Sequence, residues 1–437
     1  MTELKEEIRC WISGFTHSEI NEKIYSAELE NGLKIFLIPK QDFQESCGMM
    51  IVNFGSLDTK FTYDGQPKEY NEGIAHFLEH KLFELEDGQD VAELFTNAGA
   101  NSNAFTTFDK TCYYFSAVDN LEENVTLLQQ FISETSFTEA SITREKDIID
   151  QEIDMYQDDA DYRLYQGILE NLYPNTALAQ DIAGTQESIE NISVADLKEN
   201  HSIFYSPQEM TLLLVGNFDK DLLFNQIKKE QKEKASKKHV VKRQGLVYEQ
   251  VVPKKNIQMD VTQPKLAIGY RGAQLPKGTS SLRQELALRL FFTMLLGWTS
   301  KRYQQLYESG QIDDSFDFEI EVCPDFQFLI ISLDTLEPIA MANNICQYLN
   351  KVSQSSNLDD LSEEHFEIVK KELYGDFFKS LDSIDNLSAQ FINHLSANET
   401  YLDVPKILAT LGFAEVLKIG NDFLAHADAT EFTILPK

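Results

Sequence analysis

The sequence predicts an α+β protein of two homologous domains, each a largely antiparallel sheet with helices packed on one face. The first reason is length, because 437 residues exceed what one hydrophobic core usually organises. The second is that one order of helical and strand patterns occurs twice along the chain. The third is that each block closes with an apolar strand, TLLLVG at 211–216 and EFTILP at 431–436.

The repeated order is a helix, a segment that ends in glycine, a strand pair, a helix and a long helix. The first block has it in residues 71–83, 93–99, 103–118, 124–132 and 141–156. The second block has it in residues 286–297, 304–310, 314–333, 341–350 and 361–377. This order indicates the duplication of one α+β unit, although the repeat has no short period.

The composition is that of a well-packed globular protein with a strong negative charge. Hydrophobic residues make up 42%, aromatic residues 11%, and the formal net charge is −33. This charge argues against nucleic acid as a partner, and it either favours basic peptides or simply keeps the chain soluble. The sequence has no apolar run of membrane-spanning length, its start MTELKEEIRC lacks a secretion signal, and its five cysteines are scattered. We therefore expect reduced thiols and a cytoplasmic protein.

A basic stretch indicates the domain boundary. Residues 228–243 hold eight Lys or Arg and two Glu in an otherwise acidic chain. The simplest interpretation is a solvated helix end followed by a linker, and a binding patch is the alternative. The predicted division is an N-terminal domain at 1–233, a basic linker at 234–250 and a C-terminal domain at 251–437.

The strongest chemical signal is the pentapeptide HFLEH at residues 76–80. Apolar residues recur around it at helical spacing, so the segment is predicted to be an amphipathic helix. His76 and His80 are four residues apart and share one helix face, where they can bind one metal ion together. Glu79 precedes the second histidine, which is the inverted order of the zinc-protease signature. The second block has no such pair, so we expect one metal site per chain.

The third metal ligand is expected to be a carboxylate on another element. Residues 144–156 form a strong helix pattern with isoleucines on its apolar side, and Ser141 is the predicted N-cap. Glu145 and Glu152 are seven residues apart and therefore lie on one face, close to the isoleucines. Burying them there is costly unless they find a cation. The alternative is an ordinary acidic helix surface.

These residues together resemble the insulinase/pitrilysin family of zinc peptidases. HFLEH is followed by Glu152 at 72 residues beyond His80, and GANSNAFTTFDKTCYYF resembles the segment that follows the family's zinc helix. At this length the chain is similar to the half-length branch, which includes mitochondrial processing peptidases and bacterial two-subunit peptidases. The resemblance implies that His76, His80 and Glu152 bind Zn²⁺, that Glu79 is the general base, and that Glu145 supports the site. It also implies that the two domains form one half of a clamshell chamber that encloses peptides.

The resemblance further implies a substrate-binding strand at Asn103, Ala104 and Phe105. In the family the matching strand is an exposed edge that pairs with the peptide backbone, and an ordinary core strand is the alternative. The family often carries an arginine and, seven residues later, a tyrosine in the second domain. Here Tyr307 and Asp314 take those places.

The departure at these two positions leads to the predicted assembly and function. We expect a zinc endopeptidase subunit that forms a heterodimer with a homologous subunit supplying the arginine and tyrosine, or a homodimer. The alternative function is a catalytically silent scaffold or a peptide-binding subunit of the same family.

Overall fold

The computed structural model describes residues 9–12, 23–85, 88–232, 239–354, 361–395 and 399–437. Its strands are, in chain order, β1 (Arg9–Ile12), β2 (Lys23–Glu28), β3 (Lys34–Pro39), β4 (Ser46–Val52), β5 (Lys60–Tyr63), β6 (Gln66–Glu69), β7 (Ala100–Thr106), β8 (Thr111–Ala117), β9 (Met210–Gly216), β10 (Val241–Arg243), β11 (Lys254–Met259), β12 (Lys265–Arg271), β13 (Asp317–Val322), β14 (Gln327–Asp334) and β15 (Asp428–Pro436). Its α-helices are α1 (Ile74–Leu82), α2 (Val91–Asn97), α3 (Leu121–Ser133), α4 (Glu139–Asp158), α5 (Ala160–Leu172), α6 (Gln186–Glu190), α7 (Val194–Phe204), α8 (Lys220–Gln231), α9 (Ser281–Leu296), α10 (Lys301–Glu308), α11 (Pro338–Gln354), α12 (Glu363–Leu381), α13 (Ile384–Asn393), α14 (Val404–Thr410) and α15 (Phe413–His426).

The chain divides into two compact units, and each includes a segment from the other half of the sequence. Unit 1 comprises Met1–Ile153, Asp181–Gln244 and Ser380–Asn393, and unit 2 comprises Asp154–Gln180, Gly245–Lys379 and His394–Lys437. The chain therefore leaves unit 1 within α4 and leaves unit 2 within α12, the two long helices that occupy the same place in the repeated order.

The two main sheets have the same strand order over five strands. In unit 1 the sheet runs β1-β2-β3-β9-β4-β8-β7, and in unit 2 it runs β11-β15-β12-β14-β13. β3 pairs with β9 in parallel, as β11 does with β15, and the pairs that follow in each sheet are antiparallel. The predicted α+β fold with two homologous, largely antiparallel domains is confirmed.

Each sheet also has a helix from the other half of the sequence on its second face. In unit 1, Met50 and Val52 of β4 join the core that contains α1. Cys47, on the opposite face because side chains alternate, contacts Ser388 of α13. In unit 2, α5 packs on β12 and β15, with Gly167 so close to the Phe432 ring that a Cβ there would overlap it. The sequence predicted helices on one face of each sheet and did not predict α13 in unit 1 or α5 in unit 2. We call these two the exchanged helices, because each comes from the other half of the sequence.

Part of the predicted linker is a strand. β10 pairs with β5 in the three-stranded sheet β10-β5-β6, and Arg243 Nε donates to the buried Asp58 at 2.9 Å. The first part of the linker, residues 234–238, lies outside the described residues. Within the part of the chain that is described, no helix is long and apolar enough to cross a membrane.

Candidate metal and peptide site

The histidine pair lies on α1, which its apolar residues fix against the sheet. The helix begins after Gly73, whose φ of 84° is left-handed and whose position leaves no room for a Cβ beside the carbonyl of Ala183. Phe77 and Leu78 are fully buried in the core. His76 and His80 share another face of the helix, and their ring centroids are 4.5 Å apart. The predicted amphipathic helix therefore presents both imidazoles side by side.

The two glutamates lie on α4, whose N-terminus differs from the prediction. The helix begins at Glu139, and the Thr138 hydroxyl accepts a hydrogen bond from the Ser141 N–H at 3.1 Å. Ser141 Oγ in turn accepts from the Thr138 N–H at 3.2 Å. Ser141 is therefore the reciprocal member of a capping box and not the N-cap. The predicted N-cap was wrong because either hydroxyl suits the role and only the helix start decides between them.

His76, His80 and Glu152 converge on one point. Glu152 Oε2 lies 3.3 Å from His80 Nε2 and 3.8 Å from His76 Nε2. One ligand atom from each of the three residues lies within 4.8 Å of the other two, and no other such group of three occurs among the described residues. Two imidazole nitrogens and a carboxylate oxygen, with a position left for water or substrate, are the donor set of a catalytic zinc site.

Glu145 holds the far side of His80. Its Oε1 lies 3.1 Å from His80 Nδ1, so the Nδ1–H donates to Glu145, while Nε2 faces Glu152 on the side where a metal would bind. Burial lowers the pKa of His80, but its hydrogen bonds to the Glu145 and Glu152 carboxylates outweigh this and raise it to about 10. The two carboxylates thus attract positive charge to His80, and a metal ion bound there would replace the proton on Nε2.

His76 is buried and is held in its neutral form. Burial, together with the neighbouring His80, lowers the pKa of His76 to about 4. A neutral imidazole is the form that ligates a metal. His76 Nδ1 is buried and has no hydrogen-bond partner among the described residues. The three residues therefore fit zinc in donor type and convergence, and the supporting acceptor is present for His80.

Glu79 is half-buried beside this cluster and accepts a hydrogen bond from a residue that the sequence analysis did not assign. Thr106 Oγ1 donates to Glu79 Oε2 at 2.6 Å. Burial raises the pKa of Glu79, and the hydrogen bond from Thr106 opposes that rise. A carboxylate with a raised pKa transfers protons closer to neutral pH. Thr106 directly follows the three residues predicted as the substrate strand, but no local spacing connects it with a residue 27 positions earlier.

Among the described strands, the predicted substrate strand lies at the free edge of the unit 1 sheet. β7 is the last strand of that sheet and pairs with β8. The Thr107 N–H donates to the Lys110 carbonyl at 2.8 Å, and bonded pairs alternate with non-bonded ones along an antiparallel ladder. Ser102, Ala104 and Thr106 therefore turn their backbone N–H and C=O groups to the free edge.

The three predicted substrate residues have different places on this edge. The outward Ala104 N–H donates to Asn103 Oδ1 at 2.8 Å, so the Asn103 side chain occupies the donor that a peptide carbonyl could take. Phe105 bonds inward to β8, and its ring lies 6.1 Å from that of Tyr114. Of the three residues, Ala104 is the one that turns its backbone to the free edge, and a peptide could take its N–H only after the Asn103 side chain leaves it.

The positions that depart from the family pattern are both in unit 2. Tyr307 lies on α10, is 55% exposed and stacks on Tyr303 with ring centroids 5.9 Å apart. Asp314 is exposed in the segment between α10 and β13.

Known proteins match nearly the whole length of the chain. Residues 49–186 match the family described as Insulinase (Peptidase family M16), and residues 191–373 match the one described as Peptidase M16 inactive domain. The uncharacterized zinc protease YmfH of Bacillus subtilis (strain 168) is 34% identical over 435 residues, covering 98% of this chain and 100% of that protein. The uncharacterized zinc protease ML0855 of Mycobacterium leprae (strain TN) is 26% identical, covering 71% and 70%.

Solved structures share the fold. An M16-like peptidase from Alicyclobacillus acidocaldarius superimposes with a TM-score of 0.89 at 30% identity, covering 96% of this chain and 99% of that one. A protease from Helicobacter pylori has a TM-score of 0.79 at 18% identity, covering 95% and 100%, which is evidence for the fold alone. The second family match also agrees with a C-terminal half that lacks the histidine pair. The chain belongs to the insulinase family, peptidase family M16.

Proposed function

We propose that this chain is the active subunit of a zinc-dependent endopeptidase. The observation that carries the proposal is the convergence of His76, His80 and Glu152, with the half-buried Glu79 beside them. Relatives named zinc proteases support the same class of reaction. His76 Nε2, His80 Nε2 and a Glu152 carboxylate oxygen would hold the ion, and Glu145 would keep His80 in the required tautomer.

The protein's own residues supply the proton transfers. When bound, zinc acts as a Lewis acid that lowers the pKa of water and polarises a carbonyl. Glu79 takes the proton from the attacking water and delivers it to the leaving amine. Its burial favours this role, because a carboxylate with a raised pKa can both accept and return a proton.

The proposed substrates are peptides or unfolded segments. The free edge of β7 turns backbone groups outward at Ser102, Ala104 and Thr106. An extended segment can add to this edge as another strand once it displaces the Asn103 side chain from the Ala104 N–H. Main-chain pairing gives affinity with little side-chain preference, and it requires a substrate that is not already folded. The enclosing half-chamber stays a prediction from the family resemblance.

We propose a homologous partner as the source of the missing pair. Tyrosine at 307 cannot provide the fixed cationic fork of arginine, and aspartate at 314 would repel a developing oxyanion. The periplasmic protease PqqL of Escherichia coli supports a two-half arrangement, because this chain matches 47% of that longer chain. A homodimer is the alternative assembly.

The test is metal analysis and peptide cleavage on the same samples. We expect about one zinc per chain, loss of cleavage on chelation, and recovery on adding zinc back. Quenched fluorescent peptides should be cut slowly by the chain alone and faster with a homologous partner that carries the arginine and tyrosine. Zinc-loaded protein that binds peptides but never cuts them, alone or with a partner, would instead indicate the silent scaffold. Full activity of the chain alone, unchanged by a partner, would reject the division between subunits.

A further inference from the structure

Thr106 contacts Glu79 through its side chain and the free edge of the sheet through its backbone. Its hydroxyl donates to Glu79 Oε2 at 2.6 Å, and no hydrogen bond to Glu79 Oε1 occurs among the described residues. Its backbone groups face outward, because the Thr107–Lys110 bond fixes the alternation along β7. One residue therefore connects the proposed base with the proposed peptide edge.

The position of the Thr106 hydroxyl is fixed by its surroundings. Thr106 is paired across the ladder with Thr111, which is buried and donates to the Phe54 carbonyl at 2.8 Å. The two threonine hydroxyl oxygens are 3.4 Å apart. A β-branched side chain has few χ1 rotamers, so this threonine keeps its hydroxyl aimed at Glu79 with little entropy to lose.

Unit 2 contains the same hairpin without the hydroxyl. There the Cys323 N–H donates to the Phe326 carbonyl at 2.8 Å, as Thr107 does to Lys110. Cys323 therefore corresponds to Thr107, and the residue before it, Val322, corresponds to Thr106. Valine has nearly the shape of threonine, so the hairpin itself does not need the hydroxyl. The hydroxyl is present in the unit that holds Glu79.

We infer that Thr106 is a positioning residue that fixes the orientation of the Glu79 carboxylate during proton transfer. The inference rests on the proposed function. With Oε2 engaged by Thr106, Oε1 is the oxygen that takes and returns the proton, and the carboxylate cannot rotate freely between turnovers. A general base must lie within hydrogen-bond reach of its proton, so a loosely held carboxylate would be less effective.

The experiment compares Thr106→Val with Thr106→Ser. Valine keeps the shape and removes the donor, whereas serine keeps the donor. We expect Thr106→Val to lower kcat about 10- to 100-fold, the usual effect of losing a supporting hydrogen bond. KM, zinc content and melting temperature should stay at their wild-type values, and Thr106→Ser should recover most of kcat. In a Glu79→Gln background, Thr106→Val should cause little further loss, because its effect passes through Glu79.

Three results would overturn the inference. The first is a normal kcat for Thr106→Val. The second is a loss that comes with reduced zinc content or a lower melting temperature, which would indicate a structural role. The third is an equal loss in Thr106→Ser. A wild-type chain that binds zinc and peptides but never cleaves would overturn the proposed function, and the inference would fall with it. This result can be told apart from the other three, because they all require an active wild-type chain.

Discussion

The free edges of the two sheets are equivalent in position and opposite in character. By the shared hairpin pairing, Asn101, Asn103 and Phe105 of β7 correspond to Asp317, Glu319 and Glu321 of β13. Charged side chains along an edge are one way in which proteins prevent another strand from adding there. The edge strand is uncharged at these positions in unit 1, which we call the open edge, and acidic in unit 2, which we call the guarded edge. The shared strand order places an edge strand in both units, and the side chains determine whether another strand can pair with it.

The long helices differ in the same way. Counting from Thr138 and Ser362, whose hydroxyls each accept the N–H three residues on, Glu145 corresponds to Val369 and Glu152 to Asp376. Val369 is fully buried and Asp376 is exposed. Both glutamates of α4 contact the histidine pair, whereas the corresponding positions of α12 hold a buried valine and an exposed aspartate.

The largest effect is expected at the proposed base. Glu79→Gln should lower peptide cleavage by about 10²–10⁴-fold, the range for losing a general base, while zinc content stays the same because Glu79 is not a ligand. Glu308→Gln, at an exposed glutamate of α10 in unit 2, is the control and should leave cleavage unchanged. The measurement is turnover of a quenched peptide at equal zinc loading. Near-normal turnover in Glu79→Gln would remove the base assignment.

The next effect concerns zinc affinity and the difference between α4 and α12. Glu152→Gln should release zinc to a mild chelator most readily, because it removes a ligand charge. Glu145→Gln should weaken binding by about 10–100-fold, since it acts through His80. Asp376→Asn, the counterpart in unit 2, should change nothing. Zinc analysis after dialysis gives the order, and equal zinc in wild type and Glu152→Gln would mean that the third ligand lies elsewhere.

The open edge of β7 can be tested with two prolines at adjacent positions. Ala104→Pro removes the outward N–H, which bonds to Asn103 Oδ1 and which a peptide carbonyl would take in its place. Cleavage should therefore fall about two- to tenfold, as for one lost hydrogen bond, with little change in melting temperature. Phe105→Pro removes an inward N–H of the ladder with β8 and should mainly lower the melting temperature. Kinetics and thermal melting on both variants distinguish the positions. An unstable Ala104→Pro and a stable Phe105→Pro would reverse the inferred register.

The sequence allowed prediction of the contacts between residues that are close along the chain. It did not allow prediction of the contacts between separate helices and strands. His76 and His80 could be paired because helical periodicity brings residues four apart together, and a metal explains why both share a face. Thr106 could not be paired with Glu79, because their contact depends on how β7 and α1 pack. The exchange of α5 and α13 was hidden for a similar reason: a helical stripe predicts that a face is buried but does not say against which sheet.

The smallest effect should come from giving β7 one of the charges of β13. Asn103→Glu places at position 103 the residue that Glu319 provides in unit 2, and Asn103→Gln is the neutral control of equal length. Both variants shift the side-chain oxygen that accepts from the Ala104 N–H, so only their difference reports charge. An exposed charge pair contributes about 0.2–1 kcal/mol, so KM for an acidic peptide should rise up to about fivefold in Asn103→Glu relative to Asn103→Gln. KM for a basic peptide should fall by a similar factor, and both differences should shrink as salt is added. If Asn103→Glu and Asn103→Gln give the same KM for acidic and basic peptides at low salt, the substrate does not run along β7, and the contrast between an open and a guarded edge would have no bearing on binding.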